Sequence, residues 1–296
     1  MDTIPAKTIL QKNKSTDWFG SDYNMNLYRG CSHGCIYCDS RSDCYHVDNF
    51  EQVRAKENCL QILRDELRRK VRTGIVGTGA MSDPYNPFEE AEQLTRHALE
   101  LIDAYEFGAA VLTKSPLIER DTDVLCSIVE HSPVLCQVTV TAADDSLSRL
   151  VEPNVSVTSE RLNALAKMSE DGLFTGVVMT PILTFIEDNE DNILRVLKMA
   201  KECGARSVYP MFGVTIRAGQ REYFYSKLEE NFSGQGLAEK YEKTYGDRYV
   251  CTSPHAKRLW KIFTEECERL GLIYDMREII AAYKLGYGDS QLTFFD

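Results

Sequence analysis

The chain has 296 residues, with 34 Lys+Arg against 45 Asp+Glu for a formal charge of −11, and 43% of its residues are hydrophobic. This is ordinary globular composition and excludes a disordered or collagen-like chain; the acidic balance argues against non-specific nucleic-acid binding by the whole surface and leaves room only for a local basic groove. No apolar run reaches membrane-spanning length, and Met1-Asp2-Thr3-Ile4-Pro5 carries no basic patch ahead of an apolar stretch, so a cytoplasmic protein without membrane contact is expected.

Residues 1–22 are polar and mixed and read as an N-terminal lead-in segment. Tyr23–Tyr28 reads as a short first strand running into Arg29-Gly30. Leu60, Leu63, Leu67 and Val71 share one helical face that ends at Gly74, and Ile75–Gly79 follows as a buried strand. Leu94, Ala98, Leu101 and Tyr105 mark a helix before a strand at Ala109–Thr113, and a helix over 117–130 precedes a strand over 134–141. Helices over 159–171 and 188–203 lead to strands over 174–180 and 206–210. Six strand-then-helix units at this spacing suit right-handed crossovers and a parallel sheet, short of the eight that close a barrel. The predicted fold is therefore α/β, an incomplete (β/α)6 TIM-like barrel over residues 23–218, with a doubly wound sheet as the second reading. Beyond 218 the pattern turns helical. Ser253-Pro254 predicts the N-cap and first turn of a helix bearing Leu259, Phe263 and Leu270, so residues 219–296 read as a helical extension packed on the core.

Ten cysteines without a secretion signal fit a disulfide framework poorly. Three of them, Cys31, Cys35 and Cys38, fall within eight residues, and Gly30 and Gly34 let the backbone fold around a small object. Three thiolates from one loop can hold three irons of a [4Fe–4S] cube and leave the fourth iron without a protein ligand. Two other readings stay open on spacing alone. His33, His46 or Cys44 would complete a tetrahedral zinc site, or Cys44 would close a fully ligated electron-transfer cluster. Cys126, Cys136, Cys203 and Cys267 sit within apolar patterns and read as structural.

The spacing CxxxCxxC, with the aromatic Tyr37 just before the third cysteine and a first strand ahead of the loop, resembles the radical S-adenosylmethionine (SAM) superfamily. The resemblance implies a [4Fe–4S] cluster whose open iron chelates the amino and carboxylate groups of SAM. One-electron reduction by an external flavodoxin- or ferredoxin-like donor then cleaves SAM to methionine and a 5′-deoxyadenosyl radical, which abstracts a substrate hydrogen. Asn26-Leu27-Tyr28-Arg29-Gly30-Cys31, Gly77-Thr78-Gly79 through Ser82-Asp83-Pro84, Thr113-Lys114-Ser115-Pro116 and Glu152-Pro153 look like the spore photoproduct lyase-like branch.

Gly79 ends a strand, where ligands bind parallel α/β sheets, and Ser82-Asp83 follow on the same loop. A carboxylate there suits a ligand carrying an ammonium group, although Asp83-Pro84 reads equally as a turn. By resemblance, Ser82 and Asp83 contact the SAM amino group or methionyl portion, Lys114 lies near its carboxylate, and Thr139 and Tyr37 complete the surroundings. Gly77-Thr78-Gly79 lacks the third glycine of a dinucleotide fingerprint. One departure stands out: the lyase has a hydrogen-returning cysteine immediately ahead of its Ser-Asp-like loop, where this chain has Ala80 beside Met81. Cys251, expected in the helical tail, is the candidate catalytic substitute, against a plain reading as a small buried hydrophobe.

Arg64, Arg68 and Arg72 recur at helical spacing, either as a phosphate-tracking face or as a solvated one with Asp65 and Glu66 interleaved. The terminal Gln291-Leu292-Thr293-Phe294-Phe295 looks like a peptide that docks on the bacterial replication sliding clamp. The functional expectation is a radical SAM enzyme with lyase- or repair-type chemistry on a nucleic-acid base. Its rival is a non-enzymatic zinc- or Fe–S-binding interaction module that recruits a protein or DNA partner.

Overall fold

The computed structural model describes residues 1–287, so the clamp-like peptide Gln291–Phe295 lies outside the described residues. In chain order the elements are β1 (Asp2–Ile4), β2 (Leu10–Lys12), β3 (Tyr23–Met25), β4 (Tyr28–Arg29), β5 (Arg54–Lys56), α1 (Cys59–Arg68), β6 (Ile75–Gly77), α2 (Glu89–Glu92), α3 (Leu94–Ala104) and β7 (Gly108–Thr113). They continue with α4 (Thr122–Val129), β8 (Val134–Thr139), α5 (Asp145–Val151), α6 (Thr158–Glu170), β9 (Thr175–Ile182), α7 (Glu190–Glu202) and β10 (Ser207–Thr215). The last are α8 (Gln220–Asn231), α9 (Leu237–Tyr245), β11 (Val250–Thr252), α10 (Ala256–Leu270) and α11 (Met276–Tyr283).

The main sheet has eight strands in the order β11-β10-β9-β8-β7-β6-β3-β2. The pairs from β3 to β10 are parallel, and β2 and β11 run antiparallel at the two edges. This is an α/β fold with a mostly parallel sheet, consistent with a partial barrel. β1, β5 and β4 form a separate three-stranded sheet.

Side-chain alternation along the strands gives the sheet two distinct faces. Val76, Ala109, Val111, Cys136, Val138, Val177 and Met179 pack with helix residues such as Leu99, Leu125, Leu165 and Val196 in the largest apolar cluster. The alternate residues Ile75, Ala110, Leu135 and Val178 face the other way, where Phe19 and Ile279 and Tyr283 of α11 cover them. The concave, lumen-side face is thus closed at its base by the last described helix. A third cluster joins Cys35, Ile36 and Tyr37 to α8 and α9 through Phe224, Leu228 and Tyr241.

Several boundaries differ from expectation for local reasons. The segment read as one strand from Tyr23 to Tyr28 divides. β3 pairs with β6 in the main sheet, and β4 turns away to pair antiparallel with β5. α1 stops at Arg68, and Val71 is 100% exposed. Arg72 is therefore off the helix, and the three arginines do not form one helical stripe. β9 and β10 run to Ile182 and Thr215, beyond the expected ends. The helix expected over 117–130 begins as a 3-10 segment, Pro116–Asp121, and becomes α-helical only at Thr122. α10 begins at Ala256 rather than directly after Ser253; the Ser253 hydroxyl accepts from His255 N at 3.0 Å and donates to Asp188 at 2.5 Å. Among the described residues, no helix is long and apolar enough to cross a membrane.

Glu187, in the turn between β9 and α7, is fully buried and accepts from Leu183 N and the Thr141 hydroxyl, each at 2.8 Å. Burial pushes its carboxyl up to about 8. Between the usual carboxylate range and that value the folded chain holds a proton that the unfolded chain has released, so this group's contribution to stability falls as pH rises through the window. We expect the melting temperature of E187Q, measured by calorimetry from pH 5 to 8.5, to decline less with pH than that of the wild type.

Candidate cofactor site

The residues singled out in the sequence gather at the C-terminal ends of the parallel strands. The cysteine loop follows β3 and β4, Gly79 follows β6, Lys114 follows β7, and Thr139 ends β8. Residues 30–38 are neither helix nor strand, and Gly30 and Gly34 take φ values of 81° and 68°. The left-handed φ at Gly34 favours glycine, and a Cβ there would also crowd Asn154 Nδ2 at 2.9 Å and Pro153 at 3.3 Å. Cys31 and Cys35 are 9% and 6% exposed, Cys38 is half-buried, and none is in a disulfide. Burial pushes the Cys31 thiol up to about 11 and raises Cys35 and Cys38 as well; Lys114 opposes the rise at the latter two.

A loop of this kind needs external supports, and the chain supplies them from residues 151–161. Ile36 N donates to Val151 O at 3.0 Å, Asn154 N to His33 O at 3.1 Å, and Asn154 Nδ2 to Ser32 O at 3.0 Å. The Tyr37 hydroxyl donates to Glu152, which pairs with Arg161 at 2.6 Å; both charged groups are within 1% of full burial. Arg161 also donates to Thr139 O at 2.9 Å and Ser156 O at 2.7 Å. Burial raises the Glu152 carboxyl, but Arg161 and Lys114 outweigh it and hold the group below the usual range. Arg161 escaped the sequence reading. The available signal was a charged residue four before Leu165 and seven before Met168, on the apolar face of its helix.

The rim residues are held as tightly. A Cβ at Gly79, whose φ is 83°, would overlap the Leu112 carbonyl oxygen. Asp83 accepts from the Thr113 hydroxyl at 2.6 Å, Tyr85 N at 2.9 Å and Lys114 N at 2.8 Å, and its Oδ2 lies 3.7 Å from His33 Nδ1. It therefore ties the 82–85 loop to the end of β7 and to the cysteine loop. Ser82 is buried, with its hydroxyl 3.4 Å from Tyr28 O. Lys114 Nζ lies 5.9 Å from the Tyr37 ring centre. Burial opposes its charge, yet Cys35 and Glu152 raise its affinity for the proton overall. Thr139 is buried and carries the carbonyl that Arg161 grips.

Other candidates lie elsewhere. Cys251 is on β11, an edge strand of the main sheet rather than a helix; it is fully buried, with Sγ 3.7 Å from Arg248 O. Of the side chains weighed as a fourth zinc or cluster ligand, His33 faces Asp83, His46 is exposed, and exposed Cys44 receives Arg217 Nη1 at 3.2 Å. Among the described residues, no group of three or more His, Cys, Asp or Glu converges on one ion, as a tetrahedral zinc site would need. Two buried thiols and a half-buried one at separate places on one glycine-bearing loop, beside a cation, fit an iron–sulfur cube bound through three corners.

Because the Glu152–Arg161 pair holds the loop, we expect R161M to strand the Glu152 charge and cost about 3–5 kcal/mol. Chemical denaturation measures this, and iron content after reconstitution should fall in the same variant.

Comparison with known proteins identifies the family and the fold. A family model described as the radical SAM superfamily matches residues 25–214. An uncharacterized protein of Mycobacterium tuberculosis is 30% identical over 249 residues, spanning 82% of this chain and 72% of its own length. One from Methanocaldococcus jannaschii is 30% identical over 174 residues, covering 58% of this chain and 64% of its own. Among solved structures, spore photoproduct lyase complexed with dinucleoside spore photoproduct superposes with a TM-score of 0.67 at 15% identity, covering 90% of this chain and 78% of that one. A radical SAM methyltransferase from Kitasatospora setae superposes with a TM-score of 0.53 at 11% identity, covering 89% and 58%. At these identities the structural matches speak to fold.

Proposed function

Since the chain belongs to the radical SAM superfamily, whose enzymes work with a [4Fe–4S] cluster and SAM, we propose that it abstracts hydrogen from a nucleic-acid base in lyase- or repair-type chemistry. Membership in an enzyme family sets aside the reading as a non-enzymatic interaction module. In this proposal Cys31, Cys35 and Cys38 hold three irons, and the core is an incomplete (β/α)6 barrel over residues 23–218, preceded by the 1–22 segment and followed by the 219–296 extension. Bound at the rim, the cluster and SAM supply reductive cleavage of SAM, with the electron delivered by a flavodoxin- or ferredoxin-like partner.

The chain's own residues then bind and orient. Lys114 offers a cation to the SAM carboxylate beside the cysteine loop, with Tyr37 packed near it. Gly79 lets the loop after β6 lie against the end of β7, where a Cβ would overlap the Leu112 carbonyl oxygen, and Ser82 and Asp83 fix the adjoining loop. Asp83 reaches SAM's ammonium only through oxygen capacity not used by its three internal donors, so its larger part is to position Lys114 and His33. Thr139 lines the end of β8. The observation that carries the reading is the meeting of a largely buried three-cysteine loop and a half-buried lysine at the C-terminal rim of a parallel sheet.

The nucleic-acid part of the proposal draws on the solved lyase, whose complex contains a dinucleoside lesion, and on its likeness of fold. The departure at Ala80 argues against a simple copy of that reaction, because alanine has no thiol hydrogen to return. Cys251 would have to leave its buried position on β11 to serve as donor.

Anaerobically reconstituted protein with SAM, dithionite and a panel of damaged oligonucleotides is expected to release 5′-deoxyadenosine, detected by mass spectrometry. C31A, C35A and C38A should each lose the cluster and the product, whereas C44S should keep both. A correctly loaded protein that never cleaves SAM sinks the reading. G79A is expected to keep its iron and weaken SAM binding by about tenfold or more, measured by equilibrium dialysis.

A further inference from the structure

Below the rim, on the lumen-side face of the sheet, lies a cavity of about 280 Å³. Its lining includes the aromatic residues Trp18 and Phe19, apolar Ala110 and Leu112, and polar Lys14, Thr78 and Gln137. Ala80, at the position where the lyase branch has its cysteine, also opens onto it. Gln137 follows Leu135 by two residues on β8, so it shares the lumen-side face with Leu135 and lies two residues below Thr139. At the usual strand rise this places it about 7 Å beneath the rim where SAM is proposed to bind.

Gln137 is 2% exposed, and its Nε2 has no hydrogen-bond partner. An amide nitrogen buried without a partner has already lost its water, so a ligand that accepts from it gains from the site's preorganisation. The surroundings strengthen this. Gly176 on β9 lies under the amide; a Cβ there would stand 3.6 Å from Gln137 Nε2 and overlap the Ser207 hydroxyl. Ser207, at the start of β10, is equally buried, and its Oγ is also unpartnered. Two strands thus present donors over a glycine, and the Gln137 end meets a cavity of mixed apolar and polar lining.

We propose that this cavity recognises a planar, carbonyl-bearing ring, with Gln137 Nε2 donating to the carbonyl oxygen and Trp18, Phe19 and Leu112 enclosing the ring. Gln137 is then a specificity-determining residue for the substrate. The inference deepens the proposed function and rests on its placement of SAM at the rim. An amide donor reads an acceptor on the ring, and an apolar replacement cannot.

The test uses reconstituted, SAM-loaded, unreduced protein and isothermal titration calorimetry, so it does not depend on turnover. The probes are uridine, whose base bears carbonyls, and the matching riboside with a phenyl ring in place of the base. Wild type should bind uridine at least about tenfold more tightly than the phenyl riboside. Q137L should bring the ratio close to one with phenyl riboside binding retained, and Q137E should weaken uridine further by setting a carboxylate oxygen against its carbonyl. An unchanged ratio in Q137L overturns the inference, as does a wild type that shows no saturable uridine binding up to about 10 mM. Release of 5′-deoxyadenosine alongside such a result would leave the proposed function standing and remove only the role of Gln137; no release would count against the function itself.

Discussion

Nine residues carrying three thiols have no regular secondary structure, so their shape depends on what they lean against. That support is the buried Glu152–Arg161 pair and the groups it organises: the Tyr37 hydroxyl on one side, and the carbonyls of Thr139 and Ser156 on the other. A buried ion pair is poor value as a stabiliser in general, because desolvation takes back most of its attraction. Here each partner has further hydrogen bonds, and the pair couples the cysteine loop to the end of a core strand. Its role is to fix position, with Lys114 close enough for its charge to be felt by Cys35 and Glu152 alike.

Asp83 performs the same task on the opposite side of the rim. By accepting from Thr113, Tyr85 and Lys114 while facing His33, it joins the loop after β6, the end of β7 and the cysteine segment. The rim is therefore a closed set of mutual supports, and precise placement of this sort is what radical chemistry asks of a protein. The cofactors do the difficult bond-breaking, and the polypeptide sets distances and keeps water away.

The two faces of the sheet divide the remaining work. The helix-side face is filled with aliphatic side chains and accounts for most of the core. The lumen-side face is closed at its base by α11 and Phe19 and stays partly open above, where Gln137 keeps an unpartnered amide nitrogen. Unpartnered buried atoms occur elsewhere too, at Arg54 and Gln220 for example, and it is the cavity beside Gln137 that distinguishes this one.

Much of this was readable in one dimension. The alternation of strand and helix, the three closely spaced cysteines, and Gly79, Ser82-Asp83, Lys114 and Thr139 at strand ends all rest on local periodicity or short spacing, which a linear chain displays directly. The boundaries that misled did so because tertiary pairing overrode local pattern. The segment after β3 leaves the sheet for a second one, Val71 lies past the end of its helix, and Cys251 joins a strand at the sheet edge. Arg161, Gln137 and Ser207 were out of reach for a different reason. Their importance lies in partners up to 22 residues away, for Arg161, or in the lack of any partner, for Gln137 Nε2 and Ser207 Oγ, and such relations exist only once the chain is folded. The sequence alone therefore determined the family and the α/β character, and it singled out the three cysteines proposed as cluster ligands. The tertiary structure alone decided which buried charges brace the loop and which polar groups remain free to meet a ligand, because burial and hydrogen-bond satisfaction are properties of packing and have no counterpart in an unfolded chain.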